Sequence, residues 1–136
     1  MHVNPYLFFN GNCEAAFKYY VESLNGKITA LLPHERTPAE PHVPAEWRKK
    51  IMHAHMTIGD TALMGSDSPP EHYKKPQGFS VALQVAKPEE AERAFNALSK
   101  GGTVTMPIQQ TFFAARFGML VDQFGIPWMI NVEPAS

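Results

Sequence analysis

The chain has 136 residues, 44% of them apolar and 18% charged. This apolar content is enough for one folded domain and excludes a disordered polyampholyte. Twelve lysines and arginines against 13 aspartates and glutamates give a net charge of −1, so we expect no general binding of nucleic acid. No apolar run is long enough for a membrane span, the first residues lack the pattern of a secretion signal, and the single cysteine excludes an internal disulfide. We therefore expect a cytoplasmic protein without membrane contact.

The first half of the chain predicts a strand, a helix and three further strands. Val3–Phe9 is a short apolar run, and Cys13–Leu24 has apolar residues at helical spacing between Asn12, a candidate N-cap, and Asn25, a candidate left-handed C-cap. The three strands are predicted at Lys27–Pro33, Lys50–Ile58 and Thr61–Gly65. Residues 34–47 hold three prolines and no hydrophobic period, which predicts a loop of the length that is often functional.

The second half predicts the same order of elements again. Phe79–Val85 is typical of a strand, and a helix is expected to begin at Pro88, with acidic residues in its first turn, and to end at Gly101. Three more strands are predicted at Thr103–Ile108, Phe113–Val121 and Ile126–Val132.

A few identities support an internal repeat, although a chance match is the alternative. Five residues match at a constant offset: Ala15, Tyr19, Gly26, Ile28 and Thr29 with Ala91, Phe95, Gly102, Val104 and Thr105. Residues 60–67 also resemble residues 126–133. We predict an α+β fold built from two βαβββ modules, residues 1–67 and 78–136, within one domain that spans residues 1–136.

Three segments carry a resemblance to a known family: Asn4–Phe9 (NPYLFF), Met52–His55 (MHAH) and Gln110–Asn131, with its DQFGIPWMIN end. The chain resembles the vicinal oxygen chelate superfamily, which includes glyoxalase I, bleomycin-resistance proteins and extradiol dioxygenases. Within it, the chain is similar to the PhnB-like branch, also called 3-demethylubiquinone-9 3-methyltransferase-like. The resemblance implies two curled four-stranded mixed sheets that form a cup with the helices outside, and it implies a homodimer.

Metal-using relatives carry His, Gln or Glu on the first and last strands of each module. The resemblance places Pro5 and Leu63 there in the first module, and Ser80 and Met129 in the second. None of these side chains is a competent ligand for a hard or borderline divalent ion, and the flanking residues do not include a His or Glu. We therefore expect no metal and no cofactor, which argues against glyoxalase or dioxygenase chemistry.

His53 and His55 are the first candidates for chemistry. They lie two residues apart on a predicted strand, so both face the same side and can bind a metal, serve as a general base or line a polar pocket. The alternative is that one hydrogen-bonds within the sheet and the other lies near its rim.

Arg116 lies in an otherwise apolar predicted strand and needs an acceptor. A ligand carboxylate or phosphate is one possibility, which would make Arg116 an anion anchor. An ion pair with Asp67 or Glu133, the residues after the last strand of each module, is the other. Such carboxylates at a sheet rim are most often solvated.

Aromatic and amide side chains are the candidates for binding a small molecule. Aromatic walls with a few polar groups describe a ligand cavity, although each such residue can equally fill a core or an interface. The ligand-binding candidates are Phe8, Trp47, Phe79, Gln109, Phe113, Phe117 and Trp128. Among them, Trp47 lies at the end of the proline-rich loop and is a candidate to close over a ligand.

Two other features are given less weight. Cys13 opens the first helix, where the helix dipole lowers a thiol pKa, but no histidine is expected beside it, and we interpret it as structural. The methyltransferase label of the family has no support in the residues, because no Gly-rich loop follows a strand and opens a helix.

The sequence therefore predicts a PhnB-like protein without metal that binds a small aromatic or amphipathic molecule in the cup between its modules. The alternative is an enzyme of lyase, isomerase or transferase type, with His53 or His55 as base and Arg116 as anion anchor. A dimer with a filled, inactive cavity is a third hypothesis.

Overall fold

A computed structural model describes residues 1–132 and shows two compact units, the first formed by Met1–Lys74 and the second beginning at Lys75. Each unit is a four-stranded mixed sheet with one helix on one face. This confirms the predicted α+β class and the two four-stranded mixed sheets expected from the glyoxalase/bleomycin-resistance fold. The predicted module limits, 1–67 and 78–136, stay a prediction. Neither helix reaches the length and apolarity of a membrane span within residues 1–132.

Unit 1 contains five regular elements. They are β1 (Tyr6–Phe9), α1 (Cys13–Leu24), β2 (Lys27–Pro33), β3 (Ile51–Ile58) and β4 (Thr61–Asp67). The strand order is β1-β4-β3-β2, with β1 parallel to β4 and the other neighbours antiparallel. The long loop before β3 contains two short 3-10 turns, Glu40–His42 and Ala45–Trp47.

Unit 2 repeats this arrangement. Its elements are β5 (Val81–Val85), α2 (Pro88–Ser99), β6 (Thr103–Gln109), β7 (Arg116–Val121) and β8 (Pro127–Val132). The strand order is β5-β8-β7-β6, again with one parallel pair, β5 with β8. The same order in both sheets is what an internal repeat predicts.

A glycine in unit 1 shows which face of the sheet meets the helix. A Cβ on Gly65 would lie 2.9 Å from Cε1 of Phe17 in α1, so only glycine allows this close approach. Leu7 and Ala54 pair with Gly65 across the sheet and are buried with it. Because side chains alternate along a strand, the odd-numbered residues His53 and His55 face the side without the helix.

Gly118 has the same role in unit 2. A Cβ there would lie 2.6 Å from Cε2 of Phe95 in α2, and Ile130 pairs with Gly118 in the core. Trp128 lies two residues before Ile130 and shares its helix-facing side. Phe117, next to Gly118, faces the helix-free side.

The structure corrects several predicted details. The aromatic run from Phe113 does not begin β7, because the Thr111 hydroxyl accepts hydrogen bonds from the N–H groups of Phe113 and Ala114 (3.3 and 3.1 Å) and bends the chain into a turn. The strand therefore begins at Arg116.

The two caps predicted for α1 differ in outcome. Asn12 occupies the N-cap position of α1, but its side chain makes no capping hydrogen bond. Asn25 adopts the predicted left-handed conformation, with φ 54°.

Asp67, expected at a solvated rim, is instead 3% exposed. Its Oδ1 accepts hydrogen bonds from the N–H groups of Gly11 and Cys13, and its Oδ2 accepts one from Ile51 N–H, all at 2.9 Å. This carboxylate therefore caps α1 from the end of β4 and joins the helix to the start of β3.

Candidate functional site

The helix-free side of the unit 1 sheet combines exposed apolar surface with two histidines. We call it the histidine face and define it by Tyr6, Phe8, Thr29, Leu32, His53, His55 and Met64. Tyr6, Phe8 and Leu32 remain 37%, 52% and 47% exposed, although large apolar side chains of a sheet are usually covered. Apolar surface with a few placed polar groups is the composition of small-molecule sites.

Each histidine of this face has a neighbour that orients its ring. The Tyr6 hydroxyl lies 3.4 Å from Nδ1 of His53, and the two rings stack with centroids 5.9 Å apart. The Thr29 hydroxyl lies 2.5 Å from Nδ1 of His55 and 3.2 Å from the carbonyl oxygen of the same residue. Both imidazoles are half-buried. Two oriented imidazoles can donate, accept or transfer a proton.

Thr29 and Tyr6 are the site residues that the sequence did not single out. Thr29 sits where the β2–β3 pairing shifts register, between Ile28 and Ala30. Such an irregularity re-aims a side chain, and it depends on the pairing rather than on the local sequence. The alternation of β1 could have indicated Tyr6, because it places Tyr6 on the opposite side of the sheet from the buried Leu7.

The helix-free side of unit 2 carries a different composition, which we call the amide face. One row of paired residues runs across the four strands β6, β7, β8 and β5, and it contains Gln109, Phe117, Asn131 and Gln84. The next row contains Met106, Met119, Met129 and Ala82. Phe113 packs edge-on against Phe117, with ring centroids 5.0 Å apart. Thus three predicted ligand-binding residues, Gln109, Phe113 and Phe117, lie together, and Phe79 is exposed before β5.

Two predicted site residues lie on the helix-facing side of unit 2 instead. Trp128 is 1% exposed, and its Nε1–H donates to Oδ2 of Asp122 at 2.9 Å. Arg116 forms an ion pair with Glu92 of α2, with Nε 3.3 Å from Oε1, and not with Asp67. Glu133, the other predicted partner, lies outside the described residues. Neither Trp128 nor Arg116 is therefore part of the amide face.

Trp47 lies against the turn between β1 and α1. Its Cη2 is 3.3 Å from the point where a Cβ on Gly11 would stand, and the Lys50 ammonium donates to the Gly11 carbonyl at 2.9 Å. Within residues 1–132 the buried indole N–H has no hydrogen-bond acceptor. The structure thus places Trp47 beside α1 and not on the histidine face.

A cleft of about 550 Å³ opens beside this turn. Lys18, Lys49 and Lys50 line it together with Asp67. The Asp67 carboxylate already accepts hydrogen bonds from the N–H of Cys13, the first residue of α1, and from that of Gly11 before it, so these two donors are not available to an anion. Burial and the nearby carboxylates of Asp67 and Glu14 raise the pKa of the Cys13 thiol far above its ordinary value, which fits the structural role predicted for it.

The pairing shows which side chains lie on the helix-free sides near the positions that the resemblance assigned to a metal. Leu63 faces α1 and is buried, whereas Met64 lies beside Tyr6 on the helix-free side. In unit 2, Ala82 lies beside Met129. A phenol, two thioethers and a methyl group are not a ligand set for a hard or borderline divalent ion. No group of three or more His, Cys, Asp or Glu side chains able to hold a metal occurs among residues 1–132.

Comparison with known proteins gives one family. The sequence model of the 3-demethylubiquinone-9 3-methyltransferase family matches residues 1–131. The chain is 34% identical over 140 residues to protein YjdN of Escherichia coli K12, covering 97% of this chain and 95% of that protein. Its sequence is 48% identical to that of protein PA1353 from Pseudomonas aeruginosa, and comparison with the crystal structure of that protein gives a TM-score of 0.89 with 98% of both chains covered.

More distant structures share the fold. The PhnB protein from Bacillus cereus has a TM-score of 0.81 at 22% identity, with 97% of this chain and 99% of that chain covered. A glyoxylase/bleomycin resistance protein/dioxygenase domain from Frankia has a TM-score of 0.65 at 14% identity, with 98% and 95% covered. The chain therefore belongs to the 3-demethylubiquinone-9 3-methyltransferase family.

Proposed function

We propose that this protein binds a small aromatic or amphipathic molecule on its histidine face, without a divalent metal at the superfamily positions. The observation that carries the proposal is the exposure of Tyr6 and Phe8 beside two oriented histidines. The donor chemistry of Tyr6, Met64, Ala82 and Met129 supports the metal-free part. The prediction that the ligand lies in a cup between the two modules stays a prediction.

The exposed rings supply a driving force of useful size. Covering the exposed half of a phenylalanine ring stabilises a complex by about 1–2 kcal/mol, and the Tyr6 ring and the Leu32 side chain extend the same surface. The imidazoles then add hydrogen bonds that fix the orientation of the ligand. Phe79, Gln109, Phe113 and Phe117 of unit 2 remain candidate ligand residues.

An enzyme is the alternative, because the fixed ring of His55 favours proton transfer. In that proposal His53 or His55 is the base and a small oxygenated molecule is the substrate. Arg116 can serve as its anion anchor only if its ion pair with Glu92 is broken. The His53→Ala variant separates the two functions: a binding protein keeps its ligand affinity within a small factor, whereas an enzyme that uses His53 loses turnover.

Partners and location complete the proposal. We propose a cytoplasmic homodimer whose partner is a small molecule, with no role for nucleic acid or membrane. The net charge of −1 supports the absence of nucleic-acid binding. Sedimentation equilibrium tests the dimer, and a monomer at all concentrations would contradict it.

A fragment screen tests the binding proposal. Aromatic fragments are added to the protein, and binding is detected by saturation-transfer NMR on the fragments. We expect hits that the Phe8→Ser variant weakens several-fold, because the variant removes exposed ring surface from the histidine face. Val104→Ser is the matched control, since Val104 is similarly exposed but lies in unit 2 and belongs to neither face. Equal loss in both variants, or no hits with the unaltered protein, would contradict the proposal.

A further inference from the structure

We propose that His55 is the proton acceptor of the histidine face, that Thr29 fixes it as the tautomer with hydrogen on Nδ1, and that the face therefore selects neutral ligands with a hydroxyl donor. The ligand class rests on the proposed function. The tautomer is a property of the free protein and does not depend on a ligand.

The position of Thr29 makes this contact possible. Residues 28 and 30 of β2 pair with residues 56 and 55 of β3, so Thr29 is the extra residue at a shift of register. The shift brings its hydroxyl to the side chain and the main chain of His55 at once, at 2.5 Å from Nδ1 and 3.2 Å from the carbonyl oxygen.

Counting protons gives the tautomer. The Thr29 hydroxyl has one hydrogen, and the His55 carbonyl oxygen can only accept. When the hydroxyl donates to that carbonyl, Nδ1 must carry a hydrogen and donate to Oγ1 of Thr29, and both contacts are then satisfied. If the hydroxyl donated to Nδ1 instead, two acceptor oxygens would lie 3.2 Å apart with no hydrogen between them. The first arrangement leaves the lone pair on Nε2 of His55.

His53 takes the opposite form. Its Nδ1 lies 3.4 Å from the Tyr6 hydroxyl oxygen. A phenol is a stronger hydrogen-bond donor than acceptor, so we assign the phenol hydrogen to this contact and the hydrogen of the neutral ring to Nε2. Although both histidines face the same side of β3, only His55 thus offers a free lone pair.

This pattern defines a ligand class. The Nε2 lone pair of His55 accepts a hydrogen bond from a hydroxyl group, whereas a carboxylate has no hydrogen to donate and is repelled. The exposed rings of Tyr6 and Phe8 favour an aromatic body. Phenol is the smallest probe that carries both features, and anisole, its methyl ether, lacks only the donor.

The first experiment determines the tautomers in the free protein. Long-range ¹H–¹⁵N correlation NMR at pH 8.5, where imidazole is neutral, shows which ring nitrogen carries hydrogen. We expect Nδ1–H for His55 in the unaltered protein and in Thr29→Ser, which keeps the hydroxyl, and loss of this pattern in Thr29→Val. Nε2–H at His55 in the unaltered protein, or an unchanged pattern in Thr29→Val, would overturn the assignment.

The second experiment compares phenol and anisole by NMR titration. We expect phenol to bind roughly fivefold more tightly than anisole, as one neutral hydrogen bond allows, and the difference to disappear in Thr29→Val. Equal binding to the unaltered protein would overturn the ligand class. Failure of both compounds to bind would overturn the proposed function together with the ligand class, while the tautomers are decided by the first experiment alone.

Discussion

Removing the Asp67 carboxylate should destabilise unit 1 far more than an ordinary surface substitution does. In Asp67→Ala the three N–H groups of Gly11, Cys13 and Ile51 lose their acceptor. A buried unpaired donor costs about 1–3 kcal/mol, and water entering from the adjacent cleft recovers part of this. We therefore expect a loss of about 3–5 kcal/mol, a large share of the roughly 5–15 kcal/mol that holds a domain folded.

Urea unfolding followed by circular dichroism measures this loss. Asp67→Asn should cost about 2 kcal/mol, because its oxygen still accepts from the start of α1 while its NH₂ group meets the N–H of Ile51. Glu22→Ala, which removes an exposed carboxylate from α1, should change the stability by less than about 0.5 kcal/mol. A loss below about 1 kcal/mol in Asp67→Ala would refute the reasoning.

Three further predictions follow from single contacts. Because the pKa of the Cys13 thiol is raised in the folded state, the folded thiol keeps its hydrogen while the unfolded one ionises above its ordinary pKa of about 9. The free energy of unfolding should therefore be highest below pH 9 and fall by about 1 kcal/mol between pH 9 and pH 10. A Cys13→Ala variant with the same pH dependence would contradict this. Gly65→Ala should cost about 1–3 kcal/mol in urea unfolding, since its Cβ would lie 2.8 Å from the Leu7 carbonyl oxygen, and a neutral effect would refute the close packing. Asp122→Ala should shift the fluorescence of Trp128 by removing its Nε1–H acceptor, and an unchanged spectrum would contradict the buried hydrogen bond.

The local pattern of the sequence was sufficient for most of the fold. Helical spacing between a turn and Asn25 predicts α1 with the bounds that the structure shows, Cys13–Leu24. Alternation in residues 51–58 places His53 and His55 on one side, and the structure shows that side to be free of the helix. The strand order of the two sheets follows from the resemblance to the superfamily rather than from the periodicity.

The features that the sequence could not show depend on contacts between distant residues. Asp67 reaches Cys13 across 54 positions, so its role as a helix cap has no local signal. The aromatic run at Phe113 is typical of a strand, yet the Thr111 hydroxyl turns the backbone there. Arg116 shares its side of the sheet with α2, and its partner is therefore Glu92 rather than a carboxylate at the end of a strand.

Native mass spectrometry of the protein purified from its own host tests the central claim most directly. It reports the subunit count, any bound metal and any retained small molecule in one spectrum. We expect a homodimer that carries an organic molecule and no divalent ion, with a smaller fraction of the protein carrying the molecule when Phe8 is replaced by serine. A stoichiometric divalent metal that stays with the unaltered protein would contradict the claim that this protein binds its ligand without a divalent metal.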